Sequence, residues 1–268
     1  MSLMSILLFY LVWHAKYAHA QTDFIFKIDT EQVAYTPTQM FHLPLVSTGT
    51  YNFVVDWGDG FGDTITYWDQ AETNHTYGRH GTYIITLHGT ITGWGSSTPD
   101  VQYDGKKIVD VTQWGNLNMG NEGHAFNGCT NLIMTATDFP DLTGITNLKN
   151  IFKDTNVLGD INNDLDFGDW DVSGVTSLEG AFRGSEFIGI IDTWDTSNVE
   201  SFAYMFRSSA FNGDITSWDT TRATTIQAMF RGADAFNQDI GSWNVAAATK
   251  CNTVFRSALV FNQDLSNW

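Results

Sequence analysis

The chain is poor in positive charge: 13 Lys and Arg stand against 30 Asp and Glu in 268 residues, a formal net charge of −17. Nucleic-acid and anionic membrane surfaces are bound by clustered Lys and Arg, so neither is an expected partner. No apolar stretch after residue 20 is long enough to cross a bilayer, so no membrane insertion is expected. Catalytic signatures are missing too: there is no G-x-S-x-G, no H-E-x-x-H, no phosphate-binding glycine loop and no C-x-x-C. Four of the five histidines beyond residue 20 (His42, His75, His80, His88 and His124) fall in the first, β-rich part of the chain. Carboxylates abound, but a catalytic carboxyl needs an enclosed pocket to raise its pKa, and nothing in the pattern supplies one. No enzyme activity, catalytic residue or cofactor is expected.

Apolar and aromatic residues, in contrast, are plentiful enough to build buried cores. The first twenty residues carry an apolar run from Ile6 to Trp13 and end in Ala18-His19-Ala20, a small-x-small cleavage pattern. Residues 1–20 therefore read as a signal peptide, although no basic residue precedes the apolar run. The expected location is secreted or at the cell surface.

The second half is built on a repeat. A tryptophan is followed after twelve residues by a phenylalanine at Trp114/Phe126, Trp170/Phe182, Trp194/Phe206, Trp218/Phe230 and Trp243/Phe255. Pro140/Phe152 fills the one gap, and Trp268 opens a further unit. The later units are 24 to 25 residues long, a period that signals a solenoid whose coils bury one continuous core only by stacking. Val175, Leu178 and Phe182 have helix-like spacing with Ser173 as a cap, while the stretch from Ile215 to Trp218 reads as strand.

The same repeat decides the cysteines. Cys129 and Cys251 lie five coils apart. At one strand spacing per coil that is about 24 Å. A disulfide needs Cα atoms within about 7 Å. Both thiols are expected unpaired, with Cys251 a small core hydrophobe in the column of Leu178, Phe202 and Ile226.

Residues 21–95 form short aromatic and β-branched runs broken by Gly, Asp and Asn, which suggests a β-sandwich. Val55-Asp56-Trp57-Gly58-Asp59-Gly60 and His75-Thr76-Tyr77, leading into Gly81-Thr82-Tyr83-Ile84-Ile85-Thr86-Leu87, resemble the two signature stretches of the polycystic-kidney-disease (PKD) domain. That resemblance implies an immunoglobulin-like fold. Residues 96–107 are small, polar and turn-rich and read as a linker, so the repeats are expected to occupy 108–268.

Within the repeats, Phe236-Asn237-Gln238-Asp239-Ile240, Phe261-Asn262-Gln263-Asp264-Leu265, Trp194-Asp195-Thr196-Ser197-Asn198-Val199 and Ala125-Phe126-Asn127-Gly128-Cys129-Thr130-Asn131-Leu132 resemble the BspA-like leucine-rich-repeat surface proteins and the related mycoplasma-lipoprotein repeats. The resemblance implies a bacterial surface protein that binds protein, matrix or glycan ligands. The expected fold is thus mainly β with short helical turns: an N-terminal immunoglobulin-like sandwich followed by a leucine-rich-repeat-like solenoid.

Two acidic columns recur, Asp166, Asp214, Asp239 and Asp264 before the tryptophans and Asp171, Asp195 and Asp219 after them. Asp bonding the amides of its own turn is the simpler reading, and calcium the sharper one, since hard cations take carboxylate oxygens. Asp56, Asp59 and Asp63, and the alternate Asn162, Asp164 and Asp166 in the long loop before Trp170, carry the same two readings. Asn212, Asn237 and Asn262 are expected to ladder between coils.

Three functions compete: an adhesion or binding protein, a self-assembling filament subunit that associates through its C-terminal coil, and a carbohydrate-binding accessory module. The second follows from Phe255, Phe261, Leu265 and Trp268, which fill core columns that no later coil covers. The third needs exposed tryptophan rings, and core register argues against it.

Overall fold

The computed structural model describes residues 23–95, 104–156 and 166–268. The expected signal peptide, most of the expected linker, and Asn162 and Asp164 lie outside the described residues. Nine strands are described: β1 Phe24–Asp29, β2 Met40–His42, β3 Leu45–Asp56, β4 Gly62–Ile65, β5 Asn74–Thr76, β6 Thr82–Trp94, β7 Ile108–Gln113, β8 Leu117–Asn118 and β9 Ile133–Met134. Among the described residues the helical pieces are two three-residue 3₁₀ turns, Ala71–Thr73 and Gly105–Lys107. The fold is mainly β, as the sequence predicts.

Strict alternation makes the strands. Phe24, Phe26 and Ile28 on β1, Tyr51, Phe53 and Val55 on β3, and Ile85, Leu87 and Ile91 on β6 all point into one core. The main sheet runs β4-β3-β6-β1-β7-β9, with β8 pairing β6. Its first five strands are antiparallel, whereas β8 and β9 join in parallel. A separate pair joins β2 to β5.

β7 starts at Ile108, where the repeats were expected to begin, yet it pairs with β1. The sheet therefore extends into residues that look like repeat. Asp110 fastens this junction: buried on β7, it takes the Lys27 ammonium at 2.7 Å and the amide and hydroxyl of Thr135 at 3.1 and 3.0 Å. Nearby, the fully buried Lys107 ammonium lies 2.7 to 3.0 Å from the carbonyls of Thr36, Pro37 and Met40 and 2.6 Å from the Thr36 hydroxyl. Asp104, equally buried, accepts from the amides of Thr36 and His42. Burial lowers the Lys107 pKa, opposed by Asp104 3.6 Å away.

Beyond β9 the repeats stack by residue pairs 24 to 30 positions apart. Parallel bridges link Asn147, Ser177, Ser201, Thr225 and Lys250 in one line. Along each repeat, alternate amides donate to the next one: Phe202, Tyr204, Phe206 and Ser208 to the carbonyls of Thr225, Gln227, Met229 and Arg231. The phenylalanines form a ladder, Phe126, Phe152, Phe182, Phe206, Phe230 and Phe255, with ring centroids 5.7 to 5.9 Å apart. One contiguous apolar core runs from Phe24 to Val254.

Three expectations are corrected. The segment from Val175 to Phe182 is not helical, because two residues per repeat, four positions apart, take positive φ: Gly180 and Gly184, then Tyr204 and Ser208, Ala228 and Gly232, Thr253 and Ser257. A left-handed residue every fourth position breaks the helical ladder and leaves a chain of tight turns. The stretch from Ile215 to Trp218 is turn rather than strand. The parallel bridges through Ser177, Ser201 and Thr225 sit instead in the segment read as helix and its equivalents. Cys251 is exposed, not core; Leu178, Phe202 and Ile226 are each buried beneath a following repeat, and Cys251 lies in the last one described.

Candidate functional site

The expected tryptophan row forms. Trp194, Trp218, Trp243 and Trp268 stack with centroids 6.1 to 6.4 Å apart and planes within 8°. Trp114, Trp170, Trp194, Trp218 and Trp243 are at most 5% exposed, and Phe126, Phe152, Phe182, Phe206 and Phe230 are equally buried. Phe255 and Trp268 are half-buried. The row breaks at Trp114 and Trp170, which meet edge to face at 89°, where Pro140 occupies the intervening unit. Rings this enclosed offer no sugar platform.

In the turn after β3, each carboxylate has its own local partner. Asp56 caps the Gly58 amide at 2.8 Å, Asp59 takes the Phe61 amide and the His75 ring, and Asp63 accepts the Trp57 indole N–H at 2.8 Å. The His75 ring lies flat on Trp57, and the Tyr77 hydroxyl donates to the Trp57 carbonyl. Gly58, at φ 79°, has no room for a Cβ, which would stand 2.4 Å from the Ile84 carbonyl oxygen. Asp56, Asp59 and Asp63 thus build a turn around a buried tryptophan.

The acidic columns behave alike. Asp166, Asp214, Asp239 and Asp264 each accept from the amide two residues on, at 2.8 to 3.2 Å. Asp171, Asp195 and Asp219 do the same, and Asn244 takes over that bond where aspartate is missing. The Thr216 amide and hydroxyl hold the Asp214 carboxyl below its ordinary range. The Thr221 hydroxyl and amide do so for Asp219, and the Ser266 amide and hydroxyl for Asp264. Among the described residues no three His, Cys, Asp or Glu side chains are grouped to hold a metal ion.

The asparagine ladder also forms: Asn237 donates its amide to the Asn212 side chain at 2.9 Å, and Asn262 to that of Asn237 at 3.0 Å. Gln238 and Gln263 reach back to the Asn212 and Asn237 carbonyls. These bonds stitch repeats together along an exposed edge. A cavity of about 10 Å³ at the junction, lined by Met119, Ala125, Leu148 and Ile151, is too small for a substrate. A broad open depression lies beside Trp243 and Trp268.

Sequence reasoning missed the Lys107–Asp104 cluster and the paired left-handed positions. His124 occupies one of the latter at φ 62°, and burial, with Lys149 and Lys153 adding to it, lowers its pKa. The signal was faint: Gly180, Gly184 and Gly232 mark some of these positions, but Asn, Asp, Tyr, Ser, Ala and Thr fill others.

No curated protein and no solved structure matches the chain. Residues 146–268 match a family model described as "Mycoplasma protein of unknown function, DUF285", and that segment, just under half of the chain, is what the comparisons relate to a known family.

Proposed function

We propose that this chain is a secreted or cell-surface binding protein, non-catalytic, that presents a repeat solenoid to an extracellular protein, matrix or glycan ligand. The observation that carries this reading is the packing of the repeats. Most of their aromatic residues are buried in the core, and their polar columns recur at fixed register along an extended surface rather than around a pocket. Long stacked surfaces of this kind are the usual recognition device of repeat proteins.

On this reading the strands between Phe24 and Trp94 form a PKD-like immunoglobulin sandwich that serves as spacer, and the repeats are leucine-rich-repeat-like coils of the BspA type. The similarity of residues 146–268 to a mycoplasma family and the Trp57–His75–Tyr77 cluster support it. The alternative is a filament subunit that associates head to tail through the C-terminal coil: among the described residues the amides of Cys251, Thr253, Phe255 and Ser257 donate to no backbone carbonyl, and a neighbour would have to accept them.

The test is saturable binding of the chain from residue 21 onward to immobilised matrix proteins and glycans, read by surface plasmon resonance. Retention on at least one surface, dose-dependent and lost on unfolding, is expected. Absence of retention on every surface would sink the proposal.

A further inference from the structure

Basic residues are scarce here, and five of the eight in residues 108–268 fall at one position of the repeat. Lys153, Arg183, Arg207, Arg231 and Arg256 each follow the core phenylalanine of their repeat. Their carbonyls accept the amides of Gly128, Asp154, Gly184, Ser208 and Gly232 at 2.7 to 2.9 Å, which aligns the five residues in one column across the stack. The adjoining phenylalanine rings advance by 5.7 or 5.8 Å per repeat. Their backbones therefore sit on adjoining repeats, and like charges brought within the screening length of about 10 Å at 0.1 M salt repel.

Among the described residues that repulsion is only partly compensated. Lys153 pairs with Asp154 at 2.6 Å. Among the described residues no carboxylate forms an ion pair with Arg183, Arg207, Arg231 or Arg256, and their guanidinium groups make no hydrogen bond. Glu186 and Asp234, three residues on from Arg183 and Arg231, form no ion pair with them. The residues directly after the arginines are Gly184, Ser208, Gly232 and Ser257, too small to cover the guanidinium groups. Tyr204 lies beside the column, its ring centroid 5.9 Å from the Arg207 guanidinium carbon. The aspartate columns, in contrast, are occupied by their own turns.

We propose that this arginine column is the recognition strip for a linear anionic polysaccharide, carrying sulfate or carboxylate groups and lying lengthwise across the repeats. The inference rests on the reading of the chain as an extracellular binding protein. Each guanidinium offers a planar fork of donors that matches such oxyanions. A nucleic-acid duplex carries a charge every about 1.7 Å of axis, far denser than one cation per repeat, and would leave most of its phosphates unmatched. An extended acidic peptide repeats its side chains on one face every roughly 6.6 Å and drifts out of register along the column.

The test uses the full chain on immobilised dextran sulfate, with uncharged dextran, poly-glutamate and a single-stranded oligonucleotide as comparisons. Saturable binding to dextran sulfate that weakens as salt rises is expected, with little on the other three surfaces. The Arg207→Gln/Arg231→Gln double variant should bind at least tenfold more weakly while keeping its melting temperature and circular dichroism. The exposed Arg256→Gln should weaken binding without touching the core, and Arg222→Gln, off the column, should leave binding unchanged. Equal losses in the column and Arg222 variants, or tighter binding to poly-glutamate or the oligonucleotide, would overturn the proposal. Retention on a matrix protein without binding to dextran sulfate defeats this inference alone; no retention anywhere defeats the binding-protein reading with it.

Discussion

Trp218 lies flat on Trp194, ring centroids 6.1 Å apart and planes within 4°, and its indole N–H donates 3.1 Å back to the Ile191 carbonyl of the preceding repeat. Trp194, Trp243 and Trp268 make the same backward bond, to Phe167, Ile215 and Ile240. Tryptophan therefore serves twice, as buried apolar mass and as a donor across the stack, which phenylalanine cannot do.

Two substitutions separate those roles. Trp218→Ala should cost about 3 to 5 kcal/mol through the lost ring and the cavity it leaves. Trp218→Phe keeps a stacked ring but removes the donor, and should cost less, with about 1 kcal/mol assignable to the lost hydrogen bond. Urea unfolding of both variants measures the difference; no loss in Trp218→Phe would mean that the indole N–H contributes nothing, and equal losses in both that the stacked ring contributes nothing.

The left-handed positions predict opposite signs for two reciprocal changes. Gly232 has φ 69° and Ala228 φ 51° in the same repeat. Gly232→Ala should destabilise by about 1 kcal/mol, because Cβ is disfavoured there. Ala228→Gly should be neutral or stabilising, since relief of strain offsets the extra freedom of the unfolded chain. Destabilisation by both would contradict the backbone geometry.

The thiols should differ in reactivity. Neither cysteine forms a disulfide; Cys251 is exposed and Cys129 buried. A thiol reagent should label Cys251 in the native protein and Cys129 only on unfolding. Equal native labelling of both would contradict the packing around Cys129.

Acidity should weaken the fold in two windows. His124 has a folded pKa below its ordinary 6.5, so between the two values the unfolded chain binds more protons. Its contribution is complete above about pH 6.5 and is lost as the pH falls toward the folded value. His124→Asn, which tolerates positive φ, should flatten that part of the curve. Asp214, Asp219 and Asp264 have folded pKa values below the ordinary 3.8, so their contribution fades only below that pH. Melting temperatures from pH 8 to 2 would show both steps; an unchanged first step in His124→Asn would remove histidine from the account.

Asp104 should be costly to remove. Asp104→Ala leaves the Lys107 ammonium buried without its carboxylate, a loss of about 3 to 5 kcal/mol for a broken buried pair. A loss below 1 kcal/mol in chemical unfolding would mean that the three carbonyls around Lys107 satisfy its charge alone.

Much of this architecture was legible in the chain. The Trp and Phe columns, the asparagine ladder and the turn-capping aspartates follow from spacing, because a stacked repeat must place equivalent residues in equivalent surroundings. The alternation of β1, β3 and β6 was readable for the same reason, as a period of two needs only one buried face. Three features needed the tertiary structure. Spacing at 175, 178 and 182 fits a helix equally well, and only the packing of repeats holds Tyr204, Ala228 and Thr253 in a left-handed backbone that their side chains oppose. β7 looks like the start of the repeats until the open edge of β1 captures it, a pairing between residues about 85 apart that no local pattern encodes. The arginines are visible in the sequence as a period, but whether a cation is matched depends on distances between repeats, and charge pairing across a stack is decided in space rather than along the chain.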